Sequence, residues 1–176
     1  SDAMLKRMHR GYTRERFLEI VGKLRAVRPG IGVTTDIIVG FPGETEEEFE
    51  ATISLCREVQ FDNAFVFKYS TRRDTPAAAM EKQLPRELIE QRHAMVLAVI
   101  DEMGARRYEE FVGKTMEVLV EGPSRRNAAR MEGRTRCNKI VVFDGGNRFH
   151  GELMEVKITR NGSFTLYGDP AIVNLN

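Results

Sequence analysis

At 176 residues, with 41% apolar side chains and 27 basic against 26 acidic residues, the chain has room for one large core or two small ones, and its net charge of +1 implies no partner. No apolar run approaches the roughly 18 residues of a membrane span, and the charged start does not resemble a signal peptide. Two isolated cysteines, Cys56 and Cys137, supply neither a disulfide framework nor a self-contained zinc or iron-sulfur site, so a reducing, cytoplasmic setting is expected.

Ser1 to Tyr12 reads as a basic, irregular entry. Thr13 can cap a helix in which Phe17, Ile20, Val21, Leu24 and Val27 recur at i, i+3, i+4 and i+7, predicting one buried face before Pro29-Gly30 ends it. The β-branched run Ile37-Ile38-Val39, stopped by Gly40-Phe41-Pro42-Gly43, reads as a buried parallel strand covered on both faces. Thr45 and Glu48 form a capping box, and Glu46 to Glu48 suit the positive end of a helix dipole, so a helix with Phe49, Ile53, Cys56 and Val59 inward starts there. A second apolar strand follows at Ala64 to Tyr69. This αβαβ succession has too few strands for the doubly covered sheet that its strands call for, so further strands are expected on its amino-terminal side. An unpaired strand edge is an association hazard, which makes a homo-oligomer through the incomplete sheet an expectation as well.

Ser70 to Leu84 is a loop long enough to be functional, and Pro85 can open a helix running to about Phe111, with Ile89, Val96, Ile100 and Met103 on one stripe and Gly104 a weak point. After Val112-Gly113 the period becomes alternating. Strands are predicted at Met116 to Val120, Arg134 to Phe143, Gly151 to Thr159 and Ser163 to Tyr167, with Asp144-Gly145 and Asn161-Gly162 as turns. The fold class expected is therefore α/β plus β: residues 1–112 as part of a parallel α/β layer, and residues 113–176 as a small antiparallel β-barrel.

Ligands in parallel α/β folds gather at the carboxyl ends of strands, so Gly40 to Glu44 is the first candidate site, its backbone N–H groups available to a nucleotide-like ligand. Asp36, an acid within an apolar strand, is costly unless it is paired or faces a polar cavity, and a site-lining role is favoured over a structural hydrogen bond; Tyr69 and Ser70 share that sheet edge. Residues 113–176 carry 10 basic against 7 acidic side chains, and Arg125, Arg126, Arg130, Arg134, Arg136 and Lys139 fall within fifteen positions opposed in sequence only by Glu132. On a small barrel, that is the footprint of an RNA-contacting surface; six phosphate contacts on a single strand would give a log-log salt slope of roughly −4. His9, His93 and His150 have no ligand spacing.

Three stretches in this order, Leu5-Lys6-x-Met8-His9-Arg10-Gly11-Tyr12-Thr13, Thr35-Asp36-Ile37-Ile38-Val39-Gly40-Phe41-Pro42-Gly43-Glu44-Thr45 and Gly133-Arg134-Thr135-Arg136-Cys137-Asn138-Lys139, resemble the carboxyl-terminal part of the radical S-adenosylmethionine methylthiotransferases. The last of them, with Gly151-Glu152-Leu153 to Gly168, is most similar to the branch that modifies isopentenylated adenosine beside the tRNA anticodon. The resemblance implies a truncated radical-SAM partial (β/α) barrel followed by an RNA-gripping TRAM domain. It implies S-adenosylmethionine along Ile38 and Gly40, with Tyr69 and Ser70 lining the same cavity, and tRNA as partner. It also implies two 4Fe-4S clusters in the full-length enzyme, whose cysteine motifs are not in this sequence. No metal ligand and no catalytic residue is therefore assigned here. The chain by itself is expected to be inactive but tRNA-binding, a piece that lacks the amino-terminal part of the same enzyme and has no membrane association. A stand-alone RNA-binding protein, or the relative that modifies a ribosomal protein, are the competing readings. Two departures stand out: the family's Ser-Pro-Arg-x-Gly-Thr-Pro loop reads Ser70-Thr71-Arg72-Arg73-Asp74-Thr75-Pro76, and Cys137 stands where threonine is common.

Overall fold

The computed structural model describes residues 1–171 and divides into two compact units, Ser1–Asp101 and Glu102–Asn176. This division falls earlier than the one expected at residue 112, because Tyr108 near the end of the long helix and Phe111 just past it pack on the core of the second unit.

In the first unit, α1 (Asp2–Arg7) occupies what reads from sequence as an irregular entry. Ser1 Oγ accepts from Met4 N, Met4 is buried, and the Arg7 guanidinium pairs with Glu48 and donates to Gly43 O at 3.3 Å, so tertiary contacts hold a helix that composition does not announce. Helix α2 (Arg14–Val27) is capped by Thr13 as predicted. Its apolar stripe is not buried as predicted: Val21 is covered, whereas Ile20, Leu24 and Val27 are exposed. No element among the described residues lies over them.

Strands β1 (Thr34–Val39) and β2 (Asn63–Lys68) pair in parallel, with Asp36 opposite Phe65 and Ile38 opposite Phe67. Between them α3 (Glu46–Val59) buries Phe49, Ile53, Cys56 and Val59. Its start is the capping box read from sequence: Thr45 Oγ1 accepts from Glu48 N at 3.3 Å and Glu48 Oε2 accepts from Thr45 N at 3.0 Å. Burial works against the Glu48 charge, but the Arg7 guanidinium and the Thr45 N–H hold its carboxyl below the usual range. Thr45→Ala is expected to lower stability by about 1 kcal/mol in thermal melts followed by circular dichroism.

Helix α4 (Arg86–Glu109) runs unbroken through Gly104 and buries Val96, Val99, Ile100 and Met103. Gly104 is not a weak point but a contact: a Cβ there would lie 2.7 Å from the Phe164 ring and 2.8 Å from Ser163 O.

The second unit is a closed barrel in the order β3-β4-β5-β7-β6. Its strands are β3 (Thr115–Pro123), β4 (Met131–Thr135), β5 (Ile140–Phe143), β6 (Leu153–Asn161) and β7 (Thr165–Pro170). Two expectations are corrected. The single strand foreseen over Arg134 to Phe143 is two strands joined by a turn in which Asn138 takes the left-handed conformation at φ 62°. The barrel is also not wholly antiparallel, since β5 and β7 pair in parallel and close it. Alternation puts Val118, Val120, Met131, Val141, Phe143, Val156, Ile158 and Leu166 inside, where they form one core with Tyr108.

Candidate functional site

The first unit offers a half-covered sheet. Ile37 and Val39 are buried on one face, but Asp36, Phe65 and Phe67 stand exposed on the other, the two rings by 61% and 52%, with Ile38 half-buried between them. The expectation of a strand covered on both faces is therefore corrected for the described residues. Asp36 is not a buried acid seeking a partner; it lies on an open face, at the rim of a groove of about 530 Å³ that also takes in Met4, Met8, Phe17, Ile38 and Phe67. That groove includes Thr35 to Ile38 of β1. The opposite strand is occupied otherwise, because the Val66 carbonyl of β2 accepts from His93 Nε2 at 2.9 Å, in the tautomer protonated there.

The glycine turn does not do what its sequence suggests. Gly40 N–H donates to Glu44 Oε2 at 2.9 Å, Gly43 N–H to Lys82 O at 2.7 Å, and Glu44 N–H to Phe41 O at 3.0 Å, so these three donors are already used. Gly40 is needed on two counts, a φ of 77° and an Ile89 side chain 2.6 Å from where a Cβ would stand. Sequence reasoning missed what organises the turn. Glu44 and Arg92 are both buried; Arg92 Nη1 donates to Glu44 Oε2 at 2.8 Å and to Glu44 O at 3.0 Å, and Arg92 Nη2 donates to Glu46 Oε2 at 2.8 Å. The guanidinium also lies 5.0 Å from the Phe49 ring centroid. An arginine on the otherwise apolar inner stripe of α4 was the available signal.

Tyr69 and Ser70 follow β2. Tyr69 packs edge-on against Phe41 at 5.3 Å, and its Oη is buried without a hydrogen-bond partner among the described residues. In the loop beyond, Asp74 holds φ 62° where the resembled pattern has glycine. Aspartate is one of the few side chains that tolerates this region, so the turn survives the replacement.

In the barrel, the stretch Gly133 to Lys139 resolves into distinct duties. Gly133 faces inward, where a Cβ would come 2.3 Å from Leu119 O; Thr135 is buried and its Oγ1 accepts from Lys139 N at 3.1 Å; Asn138 turns the chain. Lys139 is 1% exposed, its ammonium 4.6 Å from the Tyr108 ring and 5.1 Å from that of Phe111. Its place among the candidate RNA contacts is corrected: the side chain closes the barrel core and cannot reach a phosphate outside. Arg134 and Arg136 point outward from the same stretch.

The remaining arginines do not form one knot. Arg125, Arg126 and Arg130 sit on the β3–β4 connection, while Arg136 sits in the β4–β5 turn at the other end of β4, about 20 Å away at 3.3 Å per residue. Nor are they opposed by Glu132 alone. Arg130 Nε donates to Asp144 at 2.7 Å and Arg134 Nε to Glu121 at 3.2 Å, and Arg134 Nη1 also donates to Asn138 Oδ1 at 3.0 Å. Arg136 pairs with Glu117 at 2.5 Å and Arg125 with Glu132 at 3.9 Å. Glu117 and Glu121 come from β3 and Asp144 from the loop after β5, which is why sequence spacing revealed only Glu132.

The cysteines lie one in each region, Cys56 bordering the groove from α3 and Cys137 in the β4–β5 turn. Burial on α3 pushes the Cys56 thiol up to about 11, and Cys137 Sγ lies 3.2 Å from Thr135 Oγ1. The neutral Cys56 thiol supports the fold fully below its ordinary value of 9.0, and that support is lost as pH climbs through about 11. A thiol-reactive disulfide at pH 8 is expected to label Cys137 in the native chain and Cys56 only after denaturation. No group of three or more His, Cys, Asp or Glu among the described residues could hold a metal ion, and no described helix is long and apolar enough to cross a membrane.

Residues 1–56 match the radical SAM superfamily and residues 109–171 match the TRAM domain, so the class is an α/β segment of a radical SAM protein joined to a TRAM barrel. Over nearly its whole length the chain is similar to the tRNA-2-methylthio-N(6)-dimethylallyladenosine synthases of Akkermansia muciniphila (49% identity, 97% of this chain), Clostridium novyi (47%, 96%) and Methylacidiphilum infernorum (44%, 100%). The chain resembles these synthases throughout and spans 37–38% of their length.

Proposed function

We propose that this chain is the cofactor-facing wall and the RNA grip of an enzyme that adds a methylthio group to dimethylallylated adenosine in tRNA. The observation that carries the reading is identity of 44–49% over at least 96% of the chain to synthases named for that product. Two structural features support it. The open β1–β2 face sets Ile38 and Phe67 side by side next to Asp36, a flat apolar surface with an acid at its rim that suits the adenine and the polar groups of S-adenosylmethionine. Tyr69 Oη, buried beside Phe41 and unpartnered among the described residues, is a donor in reserve, although Tyr69 does not line the groove itself.

The fit ends with the metal. The family's chemistry draws on iron-sulfur clusters held by cysteine thiolates, and neither the buried Cys56 nor the barrel's Cys137 belongs to a ligand set. In this reading the cluster is held by another part of the protein, and the isolated chain binds without turning over. The strands that complete the sheet would join at β1, since His93 occupies β2; pairing of two copies through β1 is the competing occupant.

On the barrel, Arg125, Arg126, Arg130, Arg134 and Arg136 are the proposed phosphate contacts. Counting these five contacts and leaving Lys139 out, binding of this chain to an anticodon stem-loop is expected to show a log-log salt slope that is clearly negative and no steeper than about −3.5, at roughly −0.7 per phosphate. A slope near zero in fluorescence anisotropy titrations would dismiss the surface. Equal, salt-insensitive binding to stem-loops with and without the dimethylallyl group would count against tRNA and favour the ribosomal-protein relative.

A further inference from the structure

Four of the five outward arginines are already paired with carboxylates. Arg136 meets Glu117, Arg134 meets Glu121, Arg125 meets Glu132 and Arg130 meets Asp144, at 2.5 to 3.9 Å. We propose that these carboxylates are working parts of the RNA surface, standing where phosphates stand in the complex and setting a threshold that weakly engaging RNA does not cross. The inference rests on the RNA-gripping reading above.

Barrel stability is a poor explanation for the pairs. Exposed ion pairs of this kind contribute little to folding. Glu117 is also in register with Glu155 across β3 and β6, an arrangement of like charges that costs stability unless Arg136 offsets it. The hydrophobic core, the hairpin turn and the buried Lys139 hold the barrel without them.

What the pairs do is constrain the arginines. Glu121 and Asn138 together fix the Arg134 guanidinium from two sides, so it is presented in one orientation rather than sampling many. A phosphate must then displace a carboxylate at each position. An RNA that reaches one arginine loses about as much as it gains, whereas one that follows the whole length of β4 exchanges several pairs at once and also releases its counterions. The threshold therefore favours an extended, correctly shaped backbone over any passing polyanion. Salt screens the internal pairs as well as the phosphate contacts, so the wild-type slope is shallower than that of a chain lacking the carboxylates.

The test uses this chain and a fluorescein-labelled tRNA anticodon stem-loop. Glu117→Gln, Glu121→Gln and the double variant are compared with Glu109→Gln, which removes one charge from the end of α4 and controls for net charge. Each of the first two is expected to tighten binding up to about 5-fold beyond that control. The double variant should steepen the salt slope. In an Arg134→Gln background the Glu121→Gln gain should vanish, which a general charge effect would not do. Melting curves check that every variant is folded.

Binding by the wild type with no gain in Glu121→Gln over the control overturns this proposal and leaves the RNA surface standing. A gain that persists without Arg134 also overturns it. Absence of salt-dependent binding in every variant removes the RNA reading, and this inference with it.

Discussion

Arg92→Met lowers the stability of the first unit by about 3–5 kcal/mol, the range for removing one partner of a buried ion pair. The substitution keeps length and bulk, so little packing is lost. What it removes is the cation that neutralises Glu44, leaving a buried carboxylate whose Oε2 still accepts from Gly40 N–H. The same change strips the carbonyl of Glu44 of its donor and frees Glu46 and Phe49 from a shared contact. The destabilisation should show as a lower urea midpoint. It should also show as faster amide exchange at Gly40, the donor nearest the unpaired charge. Glu44→Gln in the Arg92→Met background is expected to recover most of the loss, because glutamine keeps an acceptor for Gly40 and carries no charge to be paired. If the single and double variants melt alike, the pair is not what holds the turn.

The second large effect is expected at the glycines of the barrel wall. At Gly133 an added Cβ would stand 2.3 Å from Leu119 O and 2.7 Å from Val118 Cγ1; at Gly168 it would stand 2.3 Å from Lys157 O and 2.8 Å from Val156 Cγ1. Both obstacles include backbone, which cannot swing aside as a side chain does. Neither glycine has a left-handed φ, so the requirement is space and not conformational freedom. Alanine at either position forces strands apart where the barrel is tightest, at a cost of about 3 kcal/mol. Calorimetry would measure it, and anticodon stem-loop binding should fall in step with the folded fraction. Gly146→Ala, whose Cβ would meet only the Arg148 side chain at 4.0 Å, serves as the tolerated comparison.

These two sites differ in how readable they were. Gly133 was visible as part of the Gly133 to Lys139 stretch, yet the sequence did not separate its architectural residues from its working ones. Thr135 and Lys139 are buried and Asn138 makes the turn, while Arg134 and Arg136 are presented outward. A lysine beside arginines looks like one more cation until the rings of Tyr108 and Phe111, distant in sequence, are seen against it. Arg92 was legible only in part: its place on the inner stripe of α4 marked it as buried, but nothing local named its partner, which lies 48 residues away.

Sequence alone determined what local chemistry determines. The Thr45–Glu48 box, the Thr13 cap, the parallel character of the strand before Gly40, the change of period after Gly113 and the family resemblance all rest on spacings of a few residues, where steric and hydrogen-bonding preferences act directly. Only the tertiary structure decided which faces are covered and which charges meet. It left Ile38, Phe65 and Phe67 on an open face, used the glycine turn's N–H groups internally, split the arginines between the two ends of β4 and brought three further carboxylates, Glu117, Glu121 and Asp144, to them. Burial and ion pairing depend on what arrives from elsewhere in the chain, and a short window of sequence carries no record of that arrival.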